Sequence, residues 1–295
     1  MAFKHEVNLQ SRRAFLRTAG LSAAAALMLG VQGESQADKP PYGPFRMGVQ
    51  SYTLRHFGLD EALQKTQDLK LGWWEGWDGH MPVTSDATKI QEYKDKLKAH
   101  NIKMITYGVV GFSGDEADAR KKFDFARAMG IQNISADPAP EAFPVLDKLC
   151  DEYKINIGIH NHGPGARYDK FDTVQKAIAG HNERIGACID TGHYLRSDSS
   201  PVAAAAVFGK RIYGVHIKDV ILGPNGEKQF TETGKGILDS VSLLKALRNS
   251  GYQNRGILAL EYEEHEENPV PYVEECLAGM RRAMHTVTEI TLIHK

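Results

Sequence analysis

Cysteine is scarce in this chain of 295 residues, and Cys150, Cys188 and Cys276 lie far apart. They form no CxxC pair and are odd in number, so neither a zinc ribbon nor a disulfide framework is indicated. All three read as small buried apolar residues. An excess of either charge is missing too. Lys and Arg total 36 against 37 Asp and Glu, a net charge of -1. That balance gives no electrostatic case for nucleic acid or an acidic membrane surface. There is no internal repeat, no linker and no low-complexity stretch after residue 37. No long apolar run exists apart from Ala19 to Val31, which is too short to span a bilayer comfortably.

What is present begins with an address. Ser11, Arg12, Arg13, Ala14, Phe15, Leu16 and Arg17 resemble the twin-arginine export motif, and the apolar run follows them. The run reads as a signal h-region rather than an uncleaved anchor, with small residues at Ser35 and Ala37 for cleavage. Residues 1–37 are therefore expected to be a signal peptide recognised by the twin-arginine export machinery. A periplasmic or secreted location follows, with no permanent membrane anchor. Export of a folded protein allows a metal to be loaded beforehand, because ligand capture and folding are coupled.

Residues 38–45 are proline-rich and read as an extended lead-in. From 46 to about 290, strand-like and helix-like segments alternate. The strands are expected at Arg46 to Tyr52, Gly72 to Trp77, Ile102 to Gly108, and from Gly130 to near Asp137. Four more follow at Ile155 to Asn161, Arg184 to Asp190, Ile212 to Ile217 and Gly256 to Glu261. Helical periodicity separates them, as in Leu59, Ala62, Leu63, Thr66 and Leu69. The last helix is expected from roughly Tyr272 to His285. Eight strand–helix units in this length predict an α/β fold, a closed (β/α)8 TIM barrel. A doubly wound open sheet would want a glycine-rich phosphate turn after the first strand. Ser51, Tyr52, Thr53, Leu54 and Arg55 stand there instead.

Four consecutive apolar runs end in a polar residue: His160, Asp190, His216 and Glu261. Carboxyl ends of barrel strands meet at one mouth. Each residue alone has an ordinary structural reading, such as a turn or cap at Asp190, or a solvated acidic run from Glu261 to Glu267. Four together are harder to explain that way, because an unpaired carboxylate in a barrel wall is costly. A shared divalent cation would compensate both carboxylates. Two imidazoles and two carboxylates suit Mn2+, Co2+, Fe2+ or Zn2+ better than Mg2+. His162 shares parity with His160, while Asn161 between them should bond the backbone. His193 is placed to exchange protons with a ligand. Lys218 shares parity with His216 and is placed to hold an enolate oxygen. Its structural alternative is an ion pair near Asp219 or with Glu75. Trp73, Trp74, Trp77, Tyr52, Tyr107 and Phe112 are candidates for an apolar wall against a sugar face, although aromatics at this spacing are more often core.

Several stretches resemble the xylose isomerase-like superfamily of sugar isomerases and epimerases, itself built on a TIM barrel. They are Asp190-Thr191-Gly192-His193, His216-Ile217-Lys218-Asp219, the loop Gly234 to Asp239, and the strand ending at Glu261. The resemblance implies that Asp190, His216 and Glu261 are metal ligands and that His193 touches substrate. It also exposes a departure. The family has Glu-Asn-His after its fifth strand, whereas this chain has His160-Asn161-His162. A two-glutamate proton shuttle is then unavailable, which favours keto-sugar dehydratases and 3-keto-glycoside lyases over simple epimerases. The expected catalytic groups are Glu261, His193, Lys218 and His162, acting on a carbohydrate through an enediolate. Two alternatives are a non-catalytic periplasmic sugar-binding protein and a phosphoesterase of the abasic-endonuclease type. Assembly into a homo-oligomer is left open.

Overall fold

A computed structural model describes residues 41–293, and side chains through residue 289. The signal peptide expected over 1–37, and the start of the lead-in, lie outside the described residues. From residue 41 the lead-in is turned rather than extended. Phe45 N donates to Tyr42 O at 3.1 Å, and both side chains are buried. Apolar rings in that short segment gain more from folding back onto the barrel than from reaching into water.

Eight strands close into a parallel barrel. They are β1 (Met47–Gln50), β2 (Trp73–Gly76), β3 (Lys103–Phe112), β4 (Asn133–Pro138), β5 (Asn156–His160), β6 (Ile185–Asp190), β7 (Ile212–Ile217) and β10 (Leu258–Leu260). β10 pairs with both β7 and β1, which closes the ring without a free edge. Both faces of these strands are covered, so they read as near-continuous apolar runs. β6 and β7 are buried at every position.

Helices start where the sequence supplies caps. Asp86 accepts from Thr88 N and Lys89 N, and Asp115 from Ala117 N and Asp118 N. Such caps satisfy orphan amides and contribute about 1 kcal/mol each. Ser200 caps the helix Pro201–Phe208, whose proline stands in the first turn. Among the described residues, no helix is long and apolar enough to cross a membrane.

Several elements differ from the sequence expectation, among them the last helix, which runs Val270–Ile293, well past His285. β3 runs four residues past Gly108, to Phe112. The one-turn helix Thr191–Arg196 follows β6 directly. After β7 comes an antiparallel hairpin rather than a plain loop, made of β8 (Asp219–Leu222) and β9 (Lys228–Thr231). Its base is fastened by the buried Asp219 carboxylate, which accepts from Val220 N, Gly234 N, Gly236 N and Leu238 N at 2.8 to 3.1 Å. Gly234 sits at φ +92, a conformation that glycine adopts without strain. The two motif segments around Asp219 and Gly234 are thus halves of one clasp.

Candidate metal centre

Strand alternation decides what faces the mouth. On β5, His160 points in and is 2% exposed. Asn161 points sideways. Its Nδ2 donates to Asp190 O at 3.0 Å and its Oδ1 accepts from Asp190 N at 2.8 Å, as parity required. The ends of β5 and β6 are locked together by that amide. Thr191 does the same between β6 and β7. Its hydroxyl donates to Lys218 O at 2.6 Å and accepts from Lys218 N at 2.8 Å. A Cβ on Gly192 would lie 2.6 Å from the Lys218 Cβ, so only glycine lets the two chains meet there.

Asp190 has two roles. Oδ1 accepts from His193 N at 2.8 Å and caps the one-turn helix. Oδ2 faces inward, 3.4 Å from His160 Nε2 and 3.9 Å from His216 Nδ1. His216 Nδ1 is 3.1 Å from His160 Nε2 and 2.9 Å from Glu261 Oε2. One donor atom from each of His160, Asp190, His216 and Glu261 lies within 4.8 Å of the other three. The four are buried, from 0% to 7% exposed.

These distances test the fit of a metal. Donors bound to one ion at about 2.1 Å stand about 3.0 to 3.4 Å apart at octahedral or tetrahedral angles. Four of the pairs, at 2.9 to 3.9 Å, bracket that range, and the remaining pairs lie within 4.8 Å. Asp190 Oδ2 and Glu261 Oε2 are buried with cationic neighbours but no well-aligned hydrogen bond. Both oxygens thus have a charge partner in Lys218 but keep lone pairs free to bind an ion. His216 Nε2 sits 2.9 Å from Glu75 Oε1, so Glu75 orients the ring that turns Nδ1 to the centre. The donor set therefore fits a divalent ion.

Burial holds the His160 imidazole down to about 3, which keeps it neutral with a lone pair to offer. Burial alone would push Asp190 and Glu261 up, but Lys218 and the neighbouring imidazoles hold both carboxyls below their ordinary range. Burial likewise opposes charge on Lys218, yet Asp190, Glu261 and Glu263 outweigh it and keep the ammonium. For His216, burial is opposed by the Cys188 sulfur and by the carboxylates of Glu75 and Glu261, and the ring titrates well above its usual value. Without an ion, His216 is thus an imidazolium bridging two carboxylates.

Above the centre opens a cleft of about 370 Å3 lined by Tyr52, Trp77, His162, His193, Lys218 and Glu263, among others. His162 stands on the rim, 4.0 Å from Asp137, outside the four donors. His193 faces both His162 and Phe230, with ring centroids 5.7 and 5.4 Å apart, and burial lowers its pKa. Lys218 Nζ lies 3.1 Å from Asp190 Oδ2 and 2.9 Å from Glu261 Oε2, and it also pairs with Glu263. Its partners are therefore not Glu75, which belongs to His216. The aromatic wall is smaller than the sequence suggested. Tyr52 and Trp77 reach the cleft, edge to face at 5.1 Å. Trp74, Tyr107 and Phe112 are core, and Trp73 carries Arg46 and Lys103 over its ring.

Sequence reasoning missed the roles of Glu75 and Glu263. The signal for Glu75 was a carboxylate directly after Trp73 and Trp74 inside a short strand. For Glu263 it was shared parity with Glu261, hidden by the acidic run that follows.

Residues 63–283 match the model of the xylose isomerase-like TIM barrel family. The chain belongs to that family. Among curated relatives, the rhizopine catabolism protein MocC of Rhizobium meliloti is 28% identical over 233 residues, 73% of this chain and 70% of that protein. An inosose dehydratase of Lacticaseibacillus casei is 24% identical over 267 residues, 83% of each chain. Of the solved structures, an L-ribulose 3-epimerase superposes with a TM-score of 0.65 at 14% identity, over 85% of this chain and 98% of that one. The 3-keto-D-glucoside 4-epimerase of E. coli does so with 0.64 at 15%, over 81% and 99%. At such identities these two structures show the barrel alone.

Proposed function

We propose that this family member is a divalent-metal-dependent enzyme acting on a keto-sugar, with elimination favoured over simple epimerisation. The observation that carries the reading is the buried convergence of His160, Asp190, His216 and Glu261 beneath a cleft of about 370 Å3. That volume suits a small polar ligand such as one sugar ring. When bound, the ion supplies Lewis acidity to a carbonyl and its neighbouring hydroxyl. The remaining steps belong to the chain. Glu261, depressed and ionised, accepts a proton from the carbon beside the carbonyl. Lys218 donates to the enolate oxygen that develops. His193, neutral at rest through burial, lies where it can relay to a departing β-oxygen a proton that the ring takes up from solvent, and so ends neutral as it began. His162 on the rim serves the same oxygen from the other side.

His160 supports elimination. A second glutamate there would allow proton removal on one face and return on the other, and a neutral imidazole held by burial does not replace it. The inosose dehydratases among the relatives agree with that choice. The same histidine also favours a second reading, a sugar-binding protein without turnover. Metal analysis, followed by incubation with inososes and 3-keto-glycosides in D2O under NMR, separates the two. Elimination products that vanish on exhaustive chelation support the enzyme. Binding without turnover or deuterium exchange supports the second reading, and full activity after chelation refutes the first.

We also propose that residues 1–37 direct twin-arginine export to the periplasm, leaving 46–290 as the working barrel. A reporter fused to residues 1–45 should leave the cytoplasm only in cells with the twin-arginine translocase.

A further inference from the structure

We infer that Lys218 is an internal counter-cation of the metal centre, and that Glu263 is the positioning residue that receives its ammonium when an ion enters. This rests on the metal reading above. Lys218 Nζ sits 3.1 Å from Asp190 Oδ2 and 2.9 Å from Glu261 Oε2, the same two oxygens that converge with the imidazoles. An ion bonded to Glu261 Oε2 at about 2.1 Å could stand no more than about 5 Å from that ammonium. Two cations at that separation in a buried site repel strongly. The ammonium therefore has to turn away as the ion binds.

Only certain directions are open. The Lys218 backbone is fixed by Thr191 through both its N–H and its carbonyl, and its Cβ is packed against Gly192. Movement is confined to the flexible end of the side chain. Glu263 already contacts Nζ, is part-exposed, and lines the cleft beyond the donor atoms. Its own backbone is anchored, because Arg55 donates to Glu263 O at 2.9 Å. Sharing parity with Glu261, Glu263 offers the ammonium a carboxylate that is not one of the four donors. In the metal-free protein the Lys218 ammonium is shared among Asp190, Glu261 and Glu263. In the loaded protein it rests on Glu263 and faces the substrate cleft. The seat thus couples metal loading to presentation of a proton donor.

A double-mutant cycle tests this with Mn2+ alone as the probe, using titration calorimetry on full-length wild type, K218M, E263Q and K218M/E263Q. K218M should bind Mn2+ about tenfold tighter, since the competing ammonium is gone. E263Q should weaken binding about fivefold in the presence of Lys218 and less than about twofold in its absence. Equal weakening in both backgrounds would mean that Glu263 acts only as a distant negative charge, and would overturn the proposal. So would an unchanged affinity in K218M. Failure of all four proteins, wild type included, to bind Mn2+ would refute the metal centre itself. Should K218M not fold, 15N-lysine NMR of the wild type serves instead. Zn2+ should shift one ammonium resonance, and E263Q should abolish that shift; an ammonium signal indifferent to Zn2+ overturns the inference.

Discussion

Glu75 Oε1 lies 2.9 Å from His216 Nε2, and the two side chains are 1% and 0% exposed. The pair joins β2 to β7 across the barrel interior and fixes which nitrogen of His216 faces the other donors. Replacing Glu75 by Gln keeps the shape and removes the charge. We expect metal affinity to fall about 10- to 100-fold, the range for such outer partners. Calorimetry with Mn2+ reads this, and an unchanged affinity would deny Glu75 the orienting role.

Asp190 separates donor from cap. In Asp190→Asn, the side-chain oxygen still accepts from His193 N, while the inward charge is gone. That variant should fold, less stably than wild type because the buried Lys218 loses a partner, and retain no ion by elemental analysis. Asp190→Ala should lose the ion and a further ~1 kcal/mol from the missing cap, seen in urea melts. Retention of a full metal complement by either variant would remove Asp190 from the centre.

Metal loading should release a proton. His216 titrates well above its ordinary value, because Cys188, Glu75 and Glu261 together outweigh burial, and its Nδ1 faces the Glu261 carboxylate at 2.9 Å as a proton on that nitrogen would. An ion and a proton compete for that nitrogen. Affinity should therefore rise with pH through the neutral range, with about one proton released per ion. Calorimetry in buffers of different ionisation enthalpy measures the number directly.

Acid should destabilise the metal-free barrel through His160. Its folded value is about 3 against 6.5 for the free side chain. Between those values the unfolded chain binds a proton that the folded chain does not. Its stability contribution is complete above about pH 6.5 and lost as pH falls toward 3, with a total on the order of a few kcal/mol. Thermal melts across that window should steepen this way for wild type and flatten in His160→Gln. Parallel pH profiles for the two proteins would contradict it.

The barrel and its four donors were legible because a parallel strand covered on both faces is apolar until its carboxyl end. A charged residue closing Ile185 to Asp190 or Ile212 to His216 is conspicuous against that background. Parity then placed His162 and Lys218 correctly at the mouth, and Asn161 against the backbone. What stayed hidden depends on closure of the ring. Glu75 and His216 are 141 positions apart, and nothing local marks them as partners. The hairpin was read as a loop because Lys228, Gln229, Phe230 and Thr231 show no clear apolar alternation and are mostly half-buried. Of the aromatics near the second and third strand ends, Trp74, Tyr107 and Phe112 follow the commoner alternative and pack in the core, a choice that spacing along the chain does not make.

The clasp around Asp219 gives the molecule an economical way to diversify. One carboxylate holds both ends of the excursion between residues 219 and 238, and none of its four bonds involves a metal donor. The exposed turn between Leu222 and Lys228 can change length without touching that clasp, whereas Phe230 on the returning strand faces His193 with ring centroids 5.4 Å apart. The excursion is accordingly free to vary at its tip and tied down at its root.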